Sequence, residues 1–122
     1  MDSHEASVIR NLDGQEISIR PGDVSQWANL NGGELLVLAV ATCYANDLFR
    51  EAAMLKISIS EVEVEASAEF DAVGQPASSI EYRVSANGGS ADEEIQRLIL
   101  HTDSVAEVHL TIRNRVPVKL VN

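Results

Sequence analysis

The stretch ELLVLAVA at residues 34–41 decides how this chain folds, because it is apolar on almost every side of the helix that it predicts. The apolar spacing continues beyond it, so the predicted helix runs from Glu34 to Leu55. Its second half, from Asn46 onward, is amphipathic. We therefore expect one end of this helix to be central in the fold and the other end to approach water.

A β-hairpin is predicted on the N-terminal side of this helix. Two alternating runs, residues 7–12 and 15–20, flank Asp13-Gly14, a pair typical of a type I′ turn. Pro21-Gly22 should end the second strand, and a polar connection carrying Trp27 follows.

A second strand pair is predicted on the C-terminal side. The first strand starts around Ile57 and runs to Phe70, with a change of phase at Ser60-Glu61 that indicates a bulge or bend. The return strand covers residues 80–86, where apolar and polar residues alternate.

The last third of the chain predicts one helix, a short second helix and a final strand. Ser90 with Glu93, and Ser104 with Glu107, have the spacing of capping boxes. Residues 116–120 alternate as a strand, in which Pro117 is tolerated best at a sheet edge. The predicted order is β-β-α-β-β-α-(α)-β. This order predicts one α+β domain over residues 1–122, with a largely antiparallel sheet packed on the long helix.

Composition limits the classes of partner. The chain has 122 residues, with 19 acidic and nine basic residues and a net charge of -10. This charge disfavours nucleic acid and anionic membranes. The N-terminus lacks the pattern of a secretory signal, and one cysteine without such a signal predicts a cytoplasmic protein.

The apolar run at residues 35–41 also predicts an oligomer. A sheet of about five strands and one further helix would cover about two sides of it. Each aliphatic side chain left exposed forfeits roughly 1.5–3 kcal/mol. We therefore predict an obligate homodimer in which this helix is buried against its copy.

Cys43 is the first candidate for chemistry. A reactive thiol needs some exposure and a nearby cation or helix N-terminus, and a mid-helix position offers no help from the helix dipole. The alternative is a small buried apolar residue. Glu34 lies nine residues earlier, on the opposite side of the same helix, so it could approach Cys43 only across a dimer. Glu34 could equally stabilise the helix N-terminus.

The histidines do not predict a metal site. His101 and His109 are two turns apart with Asp103 between them, whereas metal pairs on a helix prefer i, i+4 spacing. His4 lies in a terminal segment expected to be mobile. No motif for a cofactor is present, and we predict neither a metal nor a cofactor.

The segment NGGELLVLAVATC at residues 31–43, with the closing RVPVKL at residues 115–120, resembles the OsmC/Ohr family. The resemblance extends from about Asn31 to the C-terminus. It implies an intertwined homodimer with strands wrapped around central helices, and reduction of organic hydroperoxides by two cysteines. The first cysteine attacks the peroxide as a thiolate and becomes a sulfenic acid, and the second resolves it as a disulfide.

Carried over residue by residue, the resemblance matches Cys43 to the attacking cysteine and Glu34 to the glutamate that helps to activate it. Ser104 stands where the resolving cysteine is expected. Arg10 and Arg20 are the candidates for the activating arginine.

Two functions follow as hypotheses. The first is a one-cysteine thiol peroxidase that acts on organic hydroperoxides and uses an external thiol as reductant. The alternative is a non-peroxidatic protein of this fold that binds a small apolar ligand at the dimer interface. A third hypothesis, which rests on the net charge alone, is an adaptor that binds a partner through its acidic surface.

Overall fold

Seven elements make up the computed structural model, which describes residues 2–20 and 31–122, and side chains for residues 3–18 and 31–122. The predicted Pro21-Gly22 strand end and the connection carrying Trp27 lie outside the described residues. In chain order the elements are β1 (Asp2–Asn11), β2 (Gln15–Arg20), α1 (Gly32–Leu55), β3 (Glu61–Phe70), β4 (Ala77–Asn87), α2 (Asp92–Asp103) and α3 (Glu107–Arg113).

The four strands form one antiparallel sheet in the order β2-β1-β3-β4. Each hairpin supplies one central and one edge strand, and β1 pairs with β3 across the middle. Ile17, Val8, Val64 and Val84 are in register across the sheet, so branched side chains stand beside one another on one face. The predicted α+β class and the largely antiparallel sheet are confirmed.

Alternation along the strands separates an apolar face from a polar one. The apolar residues of β1 and β3 are buried beneath α1, while the outer face carries acidic residues such as Glu65 and Glu81. α1 turns one side to the sheet, and α2 and α3 pack against it. The buried α1 residues on this side include Val37, Val40, Ala41, Tyr44, Ala45 and Leu48.

Among the residues that the structure describes, the stretch at residues 34–41 has one buried side and one partly exposed side. Val37, Val40 and Ala41 are buried, but Leu35 is 50 % exposed and Leu38 is partly exposed. Among the described residues, no helix combines the length and apolarity needed to cross a bilayer.

The N-terminal hairpin forms as predicted, but its turn is not type I′. A type I′ turn needs positive φ at both central residues, and neither Asp13 nor Gly14 has it. Oδ1 of Asn11 instead accepts hydrogen bonds from the backbone N–H groups of Asp13 and Gly14, at 2.8 and 3.0 Å. This side-chain turn fixes the loop locally.

The strand predicted from Ile57 begins only at Glu61. Ile57 and Ile59 are buried, but their segment is irregular and lies beside the end of β4, where Ser60 N–H donates to Asn87 C=O at 2.9 Å. A Cβ on Gly88 would lie 2.3 Å from the Ile59 Cα, so only glycine permits this close approach. The change of phase therefore marks the start of the strand, and the register irregularity lies at Glu69/Phe70 instead.

Neither predicted capping box forms. α2 begins after Ala91, and Oγ of Ser90 accepts from the backbone N–H of Ser58 at 2.7 Å. α3 begins after Ala106, and Ser104 caps the C-terminus of α2 with its hydroxyl donating to His101 C=O at 2.6 Å. In both places the serine hydroxyl forms its hydrogen bond with a backbone group outside the predicted motif.

The final predicted strand, residues 116–120, is not formed, so the described chain has four strands rather than five. Alternating apolar and polar residues form a strand only where another strand can pair with their backbone. This segment pairs with none of the described strands. Val118 is 97 % exposed and Leu120 is 86 % exposed.

Candidate functional site

The thiol of Cys43 lies on the side of α1 that faces α3 and is partly buried. Its Sγ donates a hydrogen bond to Oδ2 of Asp47 at 3.1 Å. The two residues are four apart on one helix and therefore share a face. Asp47 itself is only 7 % exposed, so its carboxylate is held at the sulfur with little access to water.

Arg50 and Glu107 complete a group that we call the thiol cluster: Cys43, Asp47, Arg50 and Glu107. Nη1 of Arg50 lies 3.1 Å from Oδ1 of Asp47 and 2.5 Å from Oε1 of Glu107. One guanidinium thus bridges a carboxylate of α1 and the first residue of α3. Asp47 is bound on one oxygen by the thiol and on the other by the arginine.

The charged network continues from the thiol cluster to α2. Nε of Arg50 donates to Oε2 of Glu51 at 2.9 Å, and Oε1 of Glu51 lies 2.6 Å from Nε2 of His101. Nη2 of Arg50 also reaches the backbone C=O of Val105 at 3.5 Å. Arg50 therefore links α1, the α2–α3 connection and α3.

The local electrostatics favour a protonated thiol. Burial raises the pKa of Cys43 above its usual value, and the carboxylates of Asp47 and Glu107 raise it further, while the backbone of Val108 acts in the opposite direction. Burial also raises the pKa of Asp47, although the Cys43 hydrogen bond and the Arg50 charge oppose it. The site thus holds a neutral thiol in contact with a carboxylate that can accept its proton.

The thiol cluster also contains the atoms that a metal would need. Ligand atoms of Cys43, Asp47 and Glu107 all lie within 4.8 Å of one another. Arg50 already occupies the charged position between the two carboxylates, so a cation would have to compete with it.

Glu34 lies on the other side of α1 and does not contact Cys43 in the same chain. It is fully buried, and its Oε2 is 3.1 Å from Nδ1 of His4 on β1. Its backbone N–H donates to Oδ1 of Asn31, the N-cap of α1, at 3.0 Å. His4 is therefore part of a buried contact in a regular strand, and the expectation of a mobile terminus is wrong.

The remaining predicted residues have different surroundings. Ser104 is exposed at the end of α2. Arg10 donates to Oδ1 of Asn46 and lies over the ring of Phe49, with the guanidinium carbon 4.6 Å from the ring centroid. The side chain of Arg20 lies outside the described residues. Neither arginine candidate is placed at the thiol by any described contact, and Arg50 is the arginine of the thiol cluster.

A second buried polar group lies between two tyrosines. The ring of His109 is 4.5 Å from that of Tyr82 at 90°, and 5.7 Å from that of Tyr44. Both ring nitrogens of His109 are buried without a hydrogen-bond partner in the described part of the chain. Tyr82 donates to Asp103, which Arg113 also holds at 2.8 Å. His101 and His109 have separate surroundings: Nε2 of His101 lies 2.6 Å from Oε1 of Glu51, whereas the ring of His109 packs against the two tyrosines.

A groove of about 480 Å³ lies on the polar face of the sheet, away from the helices. Ser7, Ser67, Glu65, Glu81 and Arg83 are among its lining residues, and Cys43 is not. The groove and the thiol are thus separate features.

Sequence reasoning missed Asp47, Arg50 and Glu107. Part of the signal was present, because Cys43, Asp47 and Arg50 follow at i, i+4 and i+7, the spacing of one helix face. Glu107 is 57 residues from Arg50, and no local pattern predicts that contact.

Comparison with known proteins agrees with this architecture. A family model described as "OsmC-like protein" matches residues 25–121. A crystal structure of an OsmC-like hydroperoxide resistance protein from Jannaschia sp. CCS1 has a similar fold, with a TM-score of 0.63 and 12 % sequence identity over 98 % of this chain and 90 % of that chain. A search of the curated proteins finds no match. Since the family model spans most of the chain, this protein belongs to the OsmC-like family.

Proposed function

We propose that this protein is a one-cysteine thiol peroxidase that reduces organic hydroperoxides. The observation that carries the proposal is the Cys43 thiol, partly exposed and 3.1 Å from a buried carboxylate. Membership in a family that includes a protein described as a hydroperoxide resistance protein supports the same chemistry.

The proposed reaction takes place at one sulfur. Cys43 attacks the terminal oxygen of the hydroperoxide, the O–O bond breaks, and the products are a sulfenic acid and an alcohol. A first external thiol then forms a mixed disulfide with Cys43 and releases water. A second external thiol frees Cys43 and leaves as the oxidised disulfide.

An external thiol is required because the chain contains one cysteine. Ser104, at the position where the resemblance expects the resolving cysteine, uses its hydroxyl to bond the C=O of His101. A serine hydroxyl cannot form the disulfide.

We also propose a homodimer. Leu35 is 50 % exposed on α1, and Val118 and Leu120 are almost fully exposed beyond α3. A second copy that covers these apolar side chains would remove them from water, at about 25 cal/mol for each Å² buried. A monomeric mass at micromolar concentration, measured by light scattering after gel filtration, would refute this proposal.

The test of the peroxidase is a titration with one equivalent of tert-butyl hydroperoxide, followed by thiol counting and intact mass. The wild type should lose one thiol per chain within seconds and gain the mass of one oxygen. Cys43→Ser should show neither change. A wild-type thiol that survives for an hour would contradict the proposal.

Two observations favour the alternative function. The raised pKa of Cys43, caused mainly by burial, is the opposite of what a resting nucleophile needs, and the exposed Leu35 side of α1 is apolar. A non-peroxidatic protein that binds a small apolar ligand at its dimer interface would have both features. Native mass spectrometry that finds a retained apolar ligand, together with an unreactive thiol, would favour it.

A further inference from the structure

We propose that Asp47 is the catalytic acid–base of Cys43: it takes the thiol proton as sulfur attacks and returns that proton to the leaving alkoxide. This inference rests on the proposed peroxidase function. It assigns the proton transfer to a residue other than Glu34 or an arginine.

The geometry carries the assignment. Oδ2 of Asp47 lies 3.1 Å from Sγ of Cys43, within reach for direct proton transfer. Nη1 of Arg50 lies 3.1 Å from Oδ1 of the same carboxylate and holds it in this orientation. Because Asp47 is only 7 % exposed, its oxygens are bound by these groups rather than by bulk water.

The proton balance of the step is complete. The S–H bond breaks and its proton moves to Oδ2 of Asp47, while sulfur takes the terminal O–H group of the hydroperoxide. The O–O bond breaks with its electron pair on the alkoxide oxygen. Protonated Asp47 then donates to this oxygen, which leaves as the alcohol, and Asp47 is a carboxylate again. Burial raises the pKa of Asp47, which makes its carboxyl a better proton carrier near neutral pH.

A competing role for Asp47 is simple suppression of the thiol. Its charge is one of the causes that raise the pKa of Cys43, so removing it should produce more thiolate under either role. The two roles differ only in the peroxide reaction. A suppressor would make Asp47→Asn react faster with hydroperoxide, whereas an acid–base would make it react more slowly.

The experiment compares two reactions of the same thiol in wild type, Asp47→Asn, Asp47→Glu and Glu107→Gln. Alkylation by iodoacetamide needs only the thiolate, because iodide leaves without a proton. Reaction with tert-butyl hydroperoxide also needs a proton for the leaving alkoxide. Glu107→Gln is the matched control, since it removes a carboxylate that raises the pKa of Cys43 but leaves the acid–base in place.

We expect Asp47→Asn to be alkylated faster than wild type at pH 7 and to react with hydroperoxide about a hundredfold more slowly. Glu107→Gln should be faster in both reactions, and Asp47→Glu should recover part of the hydroperoxide rate. A hydroperoxide rate for Asp47→Asn equal to or above that of the wild type overturns the inference and leaves the peroxidase intact. A wild type that is alkylated but inert to hydroperoxide overturns both. Full alkylation of each variant shows that a lost rate does not come from an inaccessible thiol.

Discussion

Oε1 of Glu51 on α1 lies 2.6 Å from Nε2 of His101 on α2, and the other oxygen of the same carboxylate accepts from Arg50. The Glu51 carboxylate thus links α2 to Arg50, and Arg50 also contacts Asp47 and Glu107. The hydrogen bond from His101, and then that from Arg50, lowers the pKa of Glu51 below its usual value of 4.5.

Replacement of Glu51 by glutamine should lower stability in a pH-dependent way. A carboxyl whose folded-state pKa is depressed contributes stability above its unfolded pKa and loses it as pH falls through the folded pKa. We expect Glu51→Gln to lower the free energy of unfolding by about 1 kcal/mol at pH 7, since both partners are partly exposed. The difference from wild type, measured by urea unfolding, should shrink as the pH falls below 4.5. A constant difference down to pH 3 would contradict this.

His109 should make the fold acid-sensitive. Burial, and then the Arg113 charge, lowers the pKa of His109 below its usual 6.5, while Asp103 opposes this shift. The unfolded chain then binds a proton more readily than the folded chain, so stability falls as the pH decreases through 6.5. In His109→Phe we expect a smaller loss between pH 7.5 and 5.5, and a gain of about 1 kcal/mol at pH 7.5 because the unpartnered nitrogens are gone.

Urea unfolding of wild type and His109→Phe at both pH values checks this prediction. The titratable groups that flank His109 are Tyr44, Tyr82, Asp103 and Arg113. The same pH step in Glu65→Gln, at an exposed carboxylate on the outer face of the sheet, is the control with His109 intact. Equal acid sensitivity of wild type and His109→Phe would assign the effect to one of the neighbours.

Two adjacent glycines at the start of α1 should respond differently to alanine. A Cβ on Gly33 would lie 2.5 to 2.8 Å from ring atoms of His4, so Gly33→Ala should displace the buried histidine and cost about 2 kcal/mol. A Cβ on Gly32 meets nothing within 4 Å, so Gly32→Ala should be neutral or stabilise by up to about 1 kcal/mol. Thermal unfolding of both variants measures the contrast. Equal melting temperatures would show that His4 moves without cost.

The elements that sequence predicted well are those with a local cause. Period-two alternation in residues 7–12 and 80–86, and helical spacing after Glu34, depend on which face is buried, and the sheet and α1 follow them. Prediction failed where a distant partner decides the outcome. Ser90 has the spacing of a helix cap, but its hydroxyl oxygen instead accepts a hydrogen bond from the backbone N–H of Ser58, 32 residues away. Residues 116–120 alternate correctly, yet no described strand edge lies beside them.

The candidate site was predicted only in its central residue. Cys43 could be chosen because it is the one thiol, but its surroundings depend on Arg50 meeting Glu107, a contact set by the packing of α3 on α1. The nine-residue separation of Glu34 and Cys43 did predict opposite helix faces, and within one chain each has its own partner. Whether they meet across a dimer stays a prediction.

Glu34→Gln separates a structural role of this carboxylate from a catalytic one. Glu34 is fully buried against His4, so the variant should lose about 2 kcal/mol of unfolding free energy. Glu65→Gln, at an exposed carboxylate of the outer sheet face, should change stability by less than about 0.5 kcal/mol.

The catalytic role of Glu34 is tested by the rate at which tert-butyl hydroperoxide oxidises Cys43 in Glu34→Gln, corrected for the folded fraction. Nine residues along one helix place Glu34 about 13 Å from Cys43 along the axis and on the opposite face. We therefore expect the folded Glu34→Gln variant to keep its rate within about twofold, because Asp47 contacts the thiol instead. A loss of tenfold or more, with Glu65→Gln unaffected, would mean that Glu34 serves the thiol of a second subunit.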